Sequence, residues 1–218
     1  HIGVEVGEPV GLHYHYGTLG QLQHGINYAD SYLRTIGRKQ TRVRSLKNWP
    51  YKKGEDVNLF ILAGHRNMEG ERAFIQDAVK LGESDLLKDN PNIAYRYSLG
   101  GGYLKSTDWE PLGQVSFYDT FGPELSFAQS LKSKNIPNVS IAKFAHSGSQ
   151  IIDWTPEGSM AKSRHIYPDF IRFVEETVSD LKTKGHQVRL AGIFYHLSEN
   201  DMSFYPYRKM AAERIQAI

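Results

Sequence analysis

The chain has no cysteine, which excludes disulfides, catalytic thiols and thiolate metal sites without identifying a compartment. No apolar run approaches the ~18 residues that a membrane-spanning helix needs, so no membrane span is expected. Charge of one sign is not in excess. The formal net charge is +2 at pH 7, and apart from a mildly basic stretch over Arg38–Lys53 the cations are dispersed, so no nucleic-acid partner is expected. Position 1 is His1, not methionine, and no charged-then-apolar leader follows. That start reads as a processed form or a piece of a larger multidomain protein. The glycines of "LGGGYL" are not followed by Gly-Lys-Ser/Thr or a helix start, so they read as a turn and not as a phosphate loop.

What is present is ordinary for a folded domain. The chain has 218 residues, 40% apolar and 23% charged, enough to bury a substantial core in one main domain. The first 55 residues differ from the rest in being rich in Gly, His and Tyr, with weak periodicity. They read as an N-terminal extension (1–55) of unassigned role. In "LHYHYG" the alternation puts His13 and His15 on one face of a strand. No third ligand follows at a diagnostic spacing, and no metal site is assigned. "GINYADSYLRTIG" reads as a short helix stopped at Gly37.

From Asp56 onward the pattern sharpens into an α/β alternation. Val57 to Ala63 is a nearly continuous apolar run, as expected of a strand buried on both faces. Glu69–Leu81 reads as a helix, Ile93–Leu99 as a strand, and "FGPELSFAQSLKSKNIP" as a helix with Pro123 at its first position. Val139–Phe144 is the next strand. Ile166–Lys184 has apolar residues recurring at three and four and a stop at Gly185, the mark of an amphipathic helix. Val188–Tyr195 is a further strand, and a helical piece closes the chain over Tyr207–Ile218. Strands alternating with helices predict a parallel sheet covered on both faces.

In such sheets ligands bind beyond the carboxyl ends of the strands. Those ends carry Gly64-His65-Arg66-Asn67, His146-Ser147-Gly148-Ser149 and His196-Leu197-Ser198-Glu199-Asn200-Asp201. Three polar clusters on one rim predict a site there, and the helix start at Gly122–Pro123 adds free backbone N–H groups suited to an anion or an oxyanion.

These segments resemble, in order, the SGNH hydrolases, specifically the sialate O-acetylesterase-like carbohydrate esterases. "LFILAGHRNMEG" is similar to an apolar strand followed by G-Q-S-N-M, and Trp109-Glu110-Pro111-Leu112 to W-x-P-L. "FGPELSFA" resembles the second block, whose glycine is Gly122. "IAKFAHSGSQIIDW" resembles a lysine-containing strand followed by G-G-T/S and a tryptophan, and "GIFYHLSEND" resembles W-H-Q-G-E-x-D. The resemblance implies a three-layer α/β/α sandwich with a central parallel sheet, SGNH or flavodoxin-like, over residues 56–218. It also implies hydrolysis of acetyl esters on carbohydrates with neither metal nor organic cofactor, and a secreted or periplasmic address. The family's last strand and its terminal D-x-x-H have no counterpart before Ile218, so that domain reads as C-terminally incomplete.

The family's chemistry is acyl transfer by an activated serine. By resemblance, Gly122 is the oxyanion glycine, and His196, Glu199 and Asp201 match the later block. Arg66 stands at the nucleophile's position, His65 at that of the glutamine before it, and Leu197 at that of the oxyanion glutamine. A guanidinium is not a nucleophile, which leaves three readings of Arg66: an anion clamp, a bystander to a relocated nucleophile, or the partner of Glu199 or Asp201. Ser149 and Ser147 are the hydroxyls for a relocated nucleophile, with His146, His65 or His196 as base. His65, Asn67, Ser147 and Trp154 are expected to contact a carbohydrate. The competing reading for the serines is a loop satisfying its own backbone, and for Trp154 loop packing. Lys143, on a strand interior, is expected to be paired. The reading that follows is an acetylesterase-like domain with a degenerate site; the alternative is a catalytically silent carbohydrate-binding domain in which Arg66 holds an acidic or sulfated sugar.

Overall fold

The computed structural model describes Gly25 and residues 44–117, 119–160, 165–196 and 199–218. The chain divides into two compact units, His1–Val43 and Arg44–Ile218; His13, His15 and all but Gly25 of the expected helix over 25–37 lie outside the described residues.

The second unit is built on four parallel strands: β1 (Asp56–Gly64), β2 (Asn90–Leu99), β5 (Val139–Ala145) and β6 (Gln187–His196). Their order across the sheet is β2-β5-β1-β6, with the two-residue β3 (Leu104–Lys105) and the short β4 (Glu110–Leu112) added antiparallel to β2. Central β1 has every residue from Leu59 to Gly64 buried, as its unbroken apolar run requires of a strand covered on both faces.

The period-2 alternation of β1 divides the core in two. Val57, Leu59, Ile61 and Ala63 face a layer with Phe170, Phe173 and Leu181 of the helix Tyr167–Thr183. Phe60 and Leu62 face the opposite layer, where Leu125 and Ala128 of the helix Glu124–Ser133 pack. Helix, sheet and helix thus form an α/β sandwich with two apolar seams. Among the described residues no helix is long and apolar enough to cross a membrane.

The segment just before β1, read from sequence as part of the N-terminal extension, packs into this unit. The Tyr51 hydroxyl donates to the Val139 carbonyl at 2.5 Å and accepts the Ala94 N–H at 3.0 Å, joining β5 to β2. Trp49 Nε1 donates to His186 Nε2 at 2.6 Å. Aromatic rings with one polar tip are suited to this role, since they add buried area while keeping a hydrogen bond.

The helix expected over Glu69–Leu81 is in fact two short ones, Arg66–Glu69 and Ile75–Lys80. Gly70 ends the first in the left-handed conformation at φ 95°, where its N–H returns to the Arg66 carbonyl. A Cβ at Gly70 would lie 2.2 Å from the Phe121 carbonyl oxygen. The break therefore lets the chain turn tightly against the loop that leads to Gly122, which helical periodicity alone does not reveal.

Candidate functional site

Strand pairing brings the polar clusters together. Gly64 is in register with Ala145 on one side and with His196 on the other, so the segments after β1, β5 and β6 leave the sheet side by side. His65, 1% exposed, accepts the Gly148 N–H on Nε2 at 2.9 Å, which ties the first loop to the second. Asp201 is buried and accepts the Ile151 N–H on its two oxygens at 3.2 and 3.1 Å, which ties the third segment to the second. Asn67 is exposed in the first turn, and His196 is exposed at the end of β6. Glu199 begins the helix Glu199–Ser203, and Leu197 lies outside the described residues.

Arg66 is not paired with Asp201, one of the two carboxylates that the sequence suggested, and the side chain of the other, Glu199, lies outside the described residues. The described partner of Arg66 is Glu71, with Nε 3.7 Å from Oε2 and the two side chains 42% and 32% exposed. Glu71 lies five residues on, past the Gly70 turn, and that turn rather than the β6 rim brings the charges together. The other oxygen of Glu71 accepts the Ser147 hydroxyl at 2.5 Å. Arg66, Glu71 and Ser147 thus form one polar chain across two loops.

Ser149 and Trp154 are both buried. Ser149 is 1% exposed, and its hydroxyl donates to the His146 carbonyl at 2.7 Å while accepting the Trp154 indole N–H at 3.0 Å. Both bonds tie the loop to its own backbone and to Trp154 inside the fold. Trp154 is itself 1% exposed, packed against Phe144, Phe170 and Tyr195. No face of that ring is open to a sugar.

Gly122 sits beside a buried ion pair. Lys143 Nζ is 2.8 Å from Glu124 Oε1, and both side chains are fully buried. A Cβ at position 122 would fall 2.3 Å from Glu124 Oε2 and 2.7 Å from Lys143 Nζ. A side chain at the buried Gly122 would therefore have to displace the ends of both members of the pair.

The cavity at this rim lies on the β2 side. It encloses about 170 Å³ and is lined by Glu69, Glu71, Ser116, Phe117, Thr120 and Ser147 together with the Gly100 turn. Glu69, 4% exposed, accepts the N–H groups of Gly100 at 3.1 Å and Ser147 at 2.8 Å on Oε1. Burial is the main cause that pushes its carboxyl up to about 7; the two N–H groups and Lys143 pull it down, and Glu71 pushes it further up. The sequence reading missed Glu69, Glu71 and Thr120. Two glutamates just past the end of the first strand, in "NMEGE", were the available signal; treating them as the start of a long helix concealed it. Among the described residues no group of three or more His, Asp or Glu could hold a metal ion.

A family model described as "Carbohydrate esterase, sialic acid-specific acetylesterase" matches residues 56–214. The chain belongs to this family. No curated protein matches it. Among solved structures it is similar to a protein from Arabidopsis thaliana at 16% identity and a TM-score of 0.52, over 76% of this chain and 66% of that one. That likeness bears on the fold, the mainly parallel α/β sandwich. As a member of a carbohydrate esterase family the chain is an esterase-like domain, and its family points to carbohydrate as the ligand class. In its first loop the Arg66 guanidinium faces Glu71.

Proposed function

We propose that this esterase-like domain recognises carbohydrate carrying an acidic or sulfate group, with Arg66 as the anion grip. On this reading the family's serine chemistry is not run at the first motif. The observation that carries it is Arg66 itself. Its Nε faces Glu71 at 3.7 Å while the side chain stays 42% exposed. The terminal nitrogens of such a side chain offer a planar fork of donors matching a carboxylate or sulfate. Loss of the serine of such a triad lowers turnover by ~10⁶, so acetyl-ester hydrolysis at this position is not expected.

Titration calorimetry with dextran oligosaccharides and dextran sulfate oligosaccharides of equal length tests the reading. The sulfated ligand should bind more tightly, with affinity falling as salt rises. Arg66→Ala should abolish the preference and Arg66→Lys should restore part of it. Equal binding of the two ligands, unaffected by Arg66→Ala, rejects the anion grip.

A second reading, residual hydrolysis of acetylated sugars, has one observation in its favour: the Ser147 hydroxyl lies 2.5 Å from the Glu71 carboxylate in the cavity. A carboxylate there can accept a hydroxyl proton. Aryl acetate turnover well above buffer that disappears in Ser147→Ala would favour this reading over the first.

A further inference from the structure

We infer that the open edge of β6 is a self-association surface, on which a second copy of this chain lays its own β6 antiparallel across a two-fold axis between Ala191 and Gly192. Such pairing is independent of the carbohydrate reading above.

β6 ends the sheet, paired with β1 and with no other described strand. Parallel strands are normally covered on both faces, and an edge strand is normally blunted by being short or by carrying lysine or proline. β6 runs ten residues, from Gln187 to His196, and has neither. On the face covered by the helix Tyr167–Thr183, Leu190 and Ile193 are in register with Leu59 and Ile61 yet stay 48% and 51% exposed. On the opposite face Phe194, 45% exposed, sets its ring 5.0 Å from that of Phe127 in the helix Glu124–Ser133. The strand thus presents apolar side chains on both faces beside an open row of backbone groups.

Its pattern is complementary to itself. The register that pairs all ten residues of β6 with a second β6 puts Gln187 opposite His196, Val188 opposite Tyr195, Arg189 opposite Phe194 and Leu190 opposite Ile193. In a regular ten-residue strand each of those pairs would join opposite faces, because the side-chain period is two. β6 is not regular. Leu59 is in register with Leu190 and Phe60 with Gly192, which makes Ala191 an extra residue. The bulge restores the match: Val188, Leu190, Ile193 and Tyr195 follow the odd-numbered residues of β1 onto one face, and Gln187, Arg189, Phe194 and His196 follow the even-numbered ones onto the other. Leu190 then meets Ile193, and the Arg189 guanidinium meets the Phe194 ring as a cation–π neighbour. Charge does not oppose the pairing. Arg189 is the only Lys, Arg, Asp or Glu on the strand, and its two copies would stand five residues apart, about 17 Å, beyond the Debye length of about 8 Å at physiological salt. A foreign strand would have to reproduce this interrupted alternation; a second copy matches it by symmetry, and such an isologous contact closes as a dimer.

Light scattering on the eluting chain over a concentration series should show a species of twice the 24.8 kDa chain mass. Ile193→Lys puts a charge on the open edge and should leave only the monomer. Thiols report the register, since the chain has no cysteine. Leu190→Cys mixed with Ile193→Cys should cross-link under mild oxidation, because directly opposed residues bring their Cβ atoms near disulfide range. Neither variant alone should do so, its two thiols lying three residues apart along the strands, about 10 Å. Should Ile193→Lys fail to fold, cross-linking of the two uncharged variants decides alone. A chain that stays monomeric at every concentration overturns the inference, and slow hydrogen exchange of the outward β6 amides in that monomer would give the edge to another segment of the same chain. A dimer that survives Ile193→Lys overturns it by placing the contact elsewhere. Single-cysteine variants that cross-link as well as their mixture overturn it by placing the strands in another register.

Discussion

Lys143 Nζ lies 2.8 Å from Glu124 Oε1 with both side chains fully buried, one on the central sheet and the other at the start of the helix above it. The pair stands beside Gly122 and within electrostatic reach of Glu69. It thus lies beneath the rim formed by the polar strand ends.

Removing one member of this pair should be far more damaging than removing both. Lys143→Met leaves Glu124 ionised or forcibly neutralised inside the fold, and should destabilise by about 3–5 kcal/mol. The double variant Lys143→Met with Glu124→Leu replaces two desolvated charges by apolar volume and should recover most of that loss. Chemical denaturation of the two variants decides it. If the double variant were as unstable as the single one, the ion pair would be supplying more than mutual compensation.

Gly122→Ala should act through the same pair. The new methyl would need to share space with Glu124 Oε2 at 2.3 Å and Lys143 Nζ at 2.7 Å, distances that force the charges apart. A loss of about 1–3 kcal/mol is expected, the usual range for overpacking. It should shrink when Lys143→Met and Glu124→Leu are already present, because two sites sharing partners are not additive. Full additivity would mean that Gly122 is constrained by something other than this pair.

Glu69 should leave a signature in the pH dependence of stability. Its carboxyl ionises at about 7 in the fold against an ordinary 4.5, so the folded state holds the proton more tightly than the unfolded chain. The stability linked to this group is fully present below pH 4.5 and declines as pH rises through 7. Glu69→Gln keeps an acceptor for the Gly100 and Ser147 N–H groups and cannot ionise. Relative to the unsubstituted chain, the variant should therefore gain stability between pH 5 and pH 8, by on the order of 2–3 kcal/mol. Melting both proteins at the two pH values measures it, and a difference that does not change with pH would sink the assignment to Glu69.

The framework of this domain was legible because its signals are local. Buried runs such as Val57–Ala63 and the three-and-four spacing of Phe170, Phe173 and Leu181 report burial directly, and the order of polar strand ends follows from the alternation. Lys143 was readable as paired because a charge on a strand interior admits little else. The contacts at the rim were another matter. Whether Arg66 meets Asp201 or Glu71 depends on a tight turn at Gly70 that rests on the Phe121 carbonyl, a distant residue. Ser147 and Ser149 look equivalent in "HSGSQ", yet one faces a cavity and the other is buried on Trp154. A two-residue offset on an irregular loop has no periodicity from which that difference could be read. Thr120 gave no signal at all, since an isolated threonine in a loop is ordinary until its burial is known.

Arg66 should matter little to stability, which separates it from Lys143. Its ion pair with Glu71 is long at 3.7 Å and formed by side chains 42% and 32% exposed. Pairs of that kind contribute about 0–1 kcal/mol, because solvent screens the attraction and two long side chains must be held in one geometry. Arg66→Ala should therefore shift the unfolding free energy by less than about 1 kcal/mol, against the several kcal/mol expected for Lys143→Met. Glu71→Ala should be the more disruptive of the two partners, since it also removes the acceptor of the Ser147 hydroxyl at 2.5 Å, a charge-assisted bond stronger than a neutral one. Urea titrations of the three variants under one condition would rank them. An Arg66→Ala loss matching that of Lys143→Met would make the guanidinium a structural strut and remove the reason for assigning it a ligand. The expected ranking leaves an exposed, permanently charged fork in the first loop of an esterase-like fold, stabilising little in the free protein and open to an anion.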